Sequence, residues 1–245
     1  MSCAWLNIPH PKPNAAIQLL CLPHAGGTAA LYRPWVKLLP DSIELVLVCL
    51  PGREQRCNEV MPADMRSLIT LLGNAVTPIL DRPWAVFGHS MGATVAHELI
   101  LSLQCRNLCG PEHLFVSARK APQFQEGGNQ HQLDDDSLCQ QLIQLGGTAP
   151  ELLEIPELRA LLLPTLRQDY RLIETSKVSS DQPLSCPITA MVGRDDPELT
   201  PDDARGWQRW TNCHFHIYEY TGNHFYLSQS PHLVVSHVVK QLGLT

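Results

Sequence analysis

Trp84-Ala85-Val86-Phe87-Gly88-His89-Ser90-Met91-Gly92-Ala93 joins two kinds of periodicity across one serine. Trp84 to Phe87 is a short apolar run that reads as a buried strand. Beyond the serine, Met91, Val95, Ala96, Leu99, Ile100 and Leu103 recur at helical spacing. A serine at such a strand-to-helix turn, with glycine two residues away on either side, is the pattern of a nucleophile elbow. The tight turn holds Ser90 strained with its hydroxyl exposed, and small flanking residues are required because strand and helix pack closely. The amides that follow, at the helix N-terminus, can stabilise an oxyanion.

Outward from this turn, apolar β-rich runs alternate with helical patterns. Strands are expected at Ile17 to Leu22, Ile43 to Leu50, Trp84 to Phe87, His113 to Ala118, Pro187 to Val192 and His214 to Tyr220. Helices are expected at Ala29 to Leu39, at Met65 to Ile79, after Ser90, and in a closing segment capped by Ser230-Pro231. Such alternation implies an α/β fold, a mostly parallel central sheet with helices on both faces. Between about residues 121 and 181 the strand signal stops and an all-helical insert is expected. There Asp134-Asp135-Asp136 opens one helix by capping it rather than by binding metal, and Pro156 starts another that Pro164 interrupts. The 245 residues suit one domain, 1–245, with this insertion.

Composition narrows the class further. Apolar residues make up 44% and charged residues 17%, a globular balance, and the net charge of −6 without a Lys/Arg cluster argues against nucleic acid. No apolar stretch approaches the ~18 residues that span a membrane. Nine cysteines, an odd number without a Cys-x-x-Cys pair, read as reduced thiols in a cytoplasmic protein. A monomer is the default, and nothing in the chain calls for a metal or cofactor.

A serine hydroxyl needs a general base, and the base needs a third group to fix its tautomer. In α/β-hydrolases, whose pattern this chain resembles, the order along the chain is Ser, then Asp or Glu, then His. Downstream of Ser90 one late strand ends in Gly193-Arg194-Asp195-Asp196-Pro197 and the next in Thr221-Gly222-Asn223-His224-Phe225. An acid and a histidine therefore follow the carboxyl ends of successive strands, where sites in open parallel sheets gather. His224 is the candidate base, since His214 and His216 alternate within the strand and His89 belongs to the elbow. Asp196, three residues after Gly193, is preferred to Asp195 as the acid, and both remain open. Oxyanion donors are expected at the Met91 amide and, in His24-Ala25-Gly26-Gly27, at Ala25. The helical insert lies where many α/β-hydrolases carry a lid.

From about Leu20 to Leu227 the chain resembles the type II thioesterases that accompany nonribosomal peptide and polyketide synthetases. The resemblance rests on Leu22-Pro23-His24-Ala25-Gly26-Gly27, Leu50-Pro51-Gly52-Arg53-Glu54, Gly88-His89-Ser90-Met91-Gly92, Ser117-Ala118-Arg119-Lys120-Ala121-Pro122, Asp169-Tyr170-Arg171-Leu172-Ile173-Glu174-Thr175 and Gly222-Asn223-His224-Phe225. It implies hydrolysis of acyl or aminoacyl thioesters on the phosphopantetheine arm of acyl or peptidyl carrier proteins, as an editing activity without a cofactor. It maps Ser90 as nucleophile, His224 as base, Asp196 as acid, and Ala25 and Met91 as oxyanion donors. His24 and Arg53 are candidate substrate-binding residues. Arg53 is placed to meet the phosphate of the arm, or else to form a structural salt bridge or loop clamp. Ser176-Lys177-Val178 replaces the aromatic residues common in relatives, which bears on acyl preference. The elbow alone would also allow a serine esterase, an acyl-coenzyme A thioesterase, a product-releasing thioesterase or a non-catalytic binding module.

Overall fold

On each central strand, odd and even side chains point to opposite faces, and here both faces are apolar. Leu20, Leu22, Val46, Val86, Val116 and Ala190 enter one core; Leu19, Cys21, Leu45, Leu47, Phe87 and Met191 enter the other. A sheet with two buried faces must be covered twice, and the computed structural model, which describes residues 4–125 and 127–244, covers it so.

Among the described residues the strands are β1 (Leu6–Asn7), β2 (Ile17–Leu22), β3 (Ile43–Val48), β4 (Trp84–His89), β5 (His113–Ser117), β6 (Ile188–Gly193) and β7 (Phe215–Tyr220). The helices are α1 (Met65–Val76), α2 (Met91–Cys105), α3 (Asp135–Leu145), α4 (Pro150–Leu153), α5 (Pro156–Glu174), α6 (Pro201–Arg205), α7 (Tyr226–Gln229) and α8 (Pro231–Gln241). The strands form one sheet in the order β1-β3-β2-β4-β5-β6-β7, parallel throughout except for β1, which pairs antiparallel with β3 at the edge. This is the mostly parallel architecture of the α/β-hydrolases. α1 and α2 cover one face, while the Ala29–Lys37 segment and α8 cover the other.

All six expected strands are present, and their shared carboxyl edge gathers the turns after β2, β4, β6 and β7. Three local expectations change. β1 carried no periodic signal. Ala29–Lys37 is helical but of the 3-10 kind, with Pro34 inside it. Pro164 does not interrupt α5, which runs through it. The carbonyl that Pro164 leaves without an intrahelical donor belongs to exposed Ala160, where solvent has access to it.

α3, α4 and α5 lie between β5 and β6 and share a small core of Leu138, Cys139, Leu153, Leu163, Leu166 and Tyr170. Asp134 caps α3 by accepting from the Ser137 N–H at 2.9 Å, as read from the triple aspartate. The eight cysteines among the described residues are free thiols, and no described helix is long and apolar enough to cross a membrane.

Candidate active site

β4 runs fully buried to His89 and the chain then reverses into α2 through Ser90, at φ +53° and ψ −117°. A non-glycine residue there costs about 1–3 kcal/mol, so its surroundings must impose the turn. They do so through the main chain: the Ser90 N–H donates to the Ser117 carbonyl at 2.8 Å, and the Ala93 N–H donates to the Ser90 carbonyl at 3.0 Å. The flanking glycines serve close approach. A Cβ on Gly88 would run into the Gly92 carbonyl, and one on Gly92 into the Leu22 carbonyl at the end of β2. Both obstacles are backbone and cannot swing aside. Gly92→Ala is therefore expected to lower stability by about 1–3 kcal/mol or more and to weaken labelling of Ser90 by a fluorophosphonate, as thermal unfolding and gel fluorescence would register.

Asp196 and His224 meet beyond the ends of β6 and β7. Gly193 allows this, since a Cβ there would strike the Asn223 carbonyl of the histidine loop. His224 Nδ1 lies 2.8 Å from Asp196 Oδ2, with both side chains buried. A carboxylate only accepts, so Nδ1 carries the proton and Nε2 is left free as a base. Asp196 Oδ1 accepts from the Glu198 N–H at 2.9 Å, which fixes the carboxylate. Asp195, the other aspartate of this turn, is exposed to solvent. His214 and His216 stay exposed at β7.

Ser90, His24, Ala25 and His224 line one cavity of about 630 Å³. Leu142, Leu162, Leu166 and Ile173 of the helical insert form its apolar wall, while Arg119, Gln125, Glu174 and Glu198 line a polar part. Met91 opens α2, so its N–H has no acceptor within the helix, and its side chain is buried in the core. α5 ends at Glu174, and Ser176-Lys177-Val178 is not among the cavity-lining residues; Val178 packs against the main core instead. The departure at that segment therefore does not reach the cavity wall.

Two more histidines back the site. His89 is fully buried behind the elbow, its Nδ1 hydrogen-bonded to Ser117 Oγ at 2.8 Å, which is bonded in turn to the Tyr226 hydroxyl at 2.5 Å. Its ring centroid lies 5.3 Å from that of His224. His24 packs edge-on against Phe225. Burial, helped by His224 and Arg53, holds the His24 imidazole down to about 3, and burial with His224 and His24 pushes His89 well below the usual histidine range. Burial also lowers His113, in the sheet, to about 4. His24 therefore lines the cavity as a neutral ring and offers a substrate no positive charge.

Burial of these histidines makes the stability of the fold depend on pH. Above the unfolded value near 6.5 both states hold the rings neutral; below it only the unfolded chain takes up protons, so stability falls as the pH drops toward the folded values. Each ring contributes a loss of about 1.4 kcal/mol per pH unit within that window. Thermal unfolding between pH 7.5 and 4.5 should show this slope, and His24→Gln should flatten it. An identical slope in the variant would contradict the assignment.

Of the two readings open for Arg53, phosphate contact or structural salt bridge, its surroundings are those of a salt bridge, made with Asp169 rather than with the neighbouring Glu54. Arg53 is buried, and its guanidinium forms a bidentate pair with Asp169 of α5, Nη2 to Oδ1 at 2.8 Å and Nη1 to Oδ2 at 2.9 Å. Glu54 turns away to Arg33. Breaking such a buried pair on one side costs about 3–5 kcal/mol, which binds the role of Arg53 to the fold. In the sequence Asp169 is one residue of the Asp169-to-Thr175 motif, and its pairing leaves no local signal.

The comparisons with known proteins agree with this architecture. Residues 17–242 match the family described as "Thioesterase domain". The gramicidin S biosynthesis protein GrsT of Aneurinibacillus migulanus is 35% identical over 241 residues, 98% of this chain and 94% of that protein. Among solved structures, the type II thioesterase BorB from the borrelidin biosynthetic cluster superposes with a TM-score of 0.90 at 37% identity, covering 99% of each chain. The thioesterase RedJ from the prodiginine pathway in Streptomyces coelicolor gives 0.89 at 33% identity, covering 94% of this chain and 92% of that one.

Proposed function

The chain belongs to the thioesterase family, and from that premise we propose that it hydrolyses acyl or aminoacyl thioesters on the phosphopantetheine arms of carrier proteins. Its role in this reading is to clear stalled or misloaded arms of a nonribosomal peptide or polyketide synthetase in the cytoplasm. The observation that carries the chemistry is the buried His224–Asp196 pair at 2.8 Å, whose His224 lines the same cavity as Ser90.

His224 Nε2 takes the Ser90 proton as the hydroxyl oxygen attacks the thioester carbonyl carbon. The carbonyl oxygen becomes an oxyanion, met by the Ala25 and Met91 N–H groups. Such a donor is worth about 100- to 1,000-fold in kcat. Collapse breaks the carbon–sulfur bond, the phosphopantetheine thiol leaves with the proton from His224, and the acyl group stays on Ser90. Water then gives a proton to His224 and attacks the ester, returning the acid product and free Ser90. Asp196 holds the imidazole in the required tautomer and stabilises its protonated form.

The helical insert supplies the acyl wall and acts in this reading as a lid. Its mixed lining suits acyl groups that carry polar substituents as well as short apolar ones. Turnover of an acetyl or aminoacyl carrier protein, acetyl-coenzyme A and a p-nitrophenyl ester separates the readings. The carrier substrate is expected to give a kcat/KM more than tenfold above the others. Equal or better turnover of the small molecules would contradict a carrier-directed enzyme.

A further inference from the structure

Leu50-Pro51-Gly52-Arg53-Glu54 and Asp169-Tyr170-Arg171 stand out in the sequence yet supply no group to the chemistry above. They meet at one carboxylate. We infer that Asp169, from the helical insert, is a positioning residue that holds the Ala25 amide on the oxyanion through Gly26 and Arg53. The inference rests on the serine-hydrolase reading of the site.

Asp169 lies midway along the Pro164-to-Glu174 half of α5 and is fully buried. Its Oδ2 accepts the Gly26 N–H at 2.7 Å and Arg53 Nη1 at 2.9 Å, while Oδ1 accepts Arg53 Nη2 at 2.8 Å. Arg53 Nη1 also donates to the Gly27 carbonyl at 2.9 Å, and the Gly27 N–H donates to the His24 carbonyl at 3.0 Å. The main chain of the loop is thus clamped on both sides of the Gly26–Gly27 peptide. Of the amides at Ala25, Gly26 and Gly27, two are committed, which leaves the Ala25 N–H as the donor toward Ser90.

Gly26 is held at φ +71° against Leu166 and Leu162 of the same helix. The loop therefore takes its shape from α5, 143 residues away in the chain, rather than from its own sequence. An ion pair that merely fastened α5 to the sheet would not need the Gly26 N–H to share its oxygen. A displacement of this half of α5 would release that amide and move the oxyanion donor next to it.

The test pairs Asp169→Asn with a double variant, Arg53→Met with Asp169→Leu, in the full chain. The double variant removes the acceptor of the Gly26 N–H while replacing the ion pair by apolar packing, an exchange that is often neutral for stability. Three quantities are read: the melting temperature, kcat and KM on a p-nitrophenyl ester, and the inhibition constant of an alkyl boronic acid, which forms a tetrahedral adduct on the serine. In both variants kcat is expected to fall about tenfold to a hundredfold with KM little changed. Boronate affinity should fall by the same factor, even where the double variant melts near the wild type.

A double variant with wild-type kcat would overturn the inference and leave Asp169 a structural partner of Arg53. So would a fall in kcat with unchanged boronate affinity. If Asp169→Asn does not fold, the double variant alone decides. A wild type that neither turns over the ester nor binds the boronate would overturn the serine-hydrolase reading and this inference together.

Discussion

Ser90→Ala is expected to lower kcat by about 10^5- to 10^6-fold on any thioester the wild type accepts. The variant loses the atom that forms the acyl intermediate; among the described residues the other hydroxyls that line the cavity are those of Thr148 and Tyr170, neither of which is hydrogen-bonded to His224, and no thiol lines it. Its fold should persist, because the elbow is fixed by main-chain bonds from Ser90 to Ser117 and from Ala93 to Ser90, none of which uses the side chain. Steady-state turnover and fluorophosphonate labelling, with a melting curve beside them, read this outcome. Residual labelling at the wild-type rate would place the nucleophile elsewhere.

Asp196→Asn should be the next most damaging change, with kcat reduced by about 10^3- to 10^4-fold. Asparagine can keep its oxygen on the Glu198 N–H and so preserve the turn after β6. Its NH2 group then faces His224 Nδ1, where Asp196 Oδ2 now accepts at 2.8 Å. Nδ1 must become the acceptor, which moves the ring proton to Nε2 and leaves His224 unable to take the Ser90 proton. Asp195→Asn is the control: its side chain is exposed, and kcat should stay within about threefold of wild type. Equal losses in the two variants, measured as kcat on one ester, would contradict the assignment of the acid.

The parts of the fold that were readable in the chain are those with local causes. Six β-rich runs of adequate length gave six parallel strands, because apolar residues on both faces can only be buried between two helical layers. The candidate site was readable where a turn motif marks a strand end: Gly88 to Gly92 after β4, Gly193 to Asp196 after β6, and Gly222 to His224 after β7. β1 escaped notice because two residues carry no period. Pro164 suggests an interruption, but its cost depends on whether Ala160 faces water, which is a property of the packed helix.

Arg53 illustrates the deeper limit. An arginine in a loop at the active edge has the chemistry to bind phosphate, and its type alone cannot tell a free guanidinium from a buried one. What decides is Asp169, 116 residues later, whose carboxylate satisfies it. Likewise, the His89–Ser117–Tyr226 chain joins three elements through side chains that have no common spacing in the sequence. Pairings of this range are set by the whole topology and are visible only once the sheet has brought its edges together.

In the proposed reaction Ser90 receives the acyl group from a carrier-bound thioester and water then removes it. Intact-protein mass spectrometry of an acetyl or aminoacyl carrier protein, incubated with the wild type and with Ser90→Ala, tests it directly. Return of the carrier to its free-thiol mass with the wild type alone is the expected result. Clearing by both proteins would contradict Ser90 as the nucleophile, and clearing by neither would contradict the carrier thioester as the substrate.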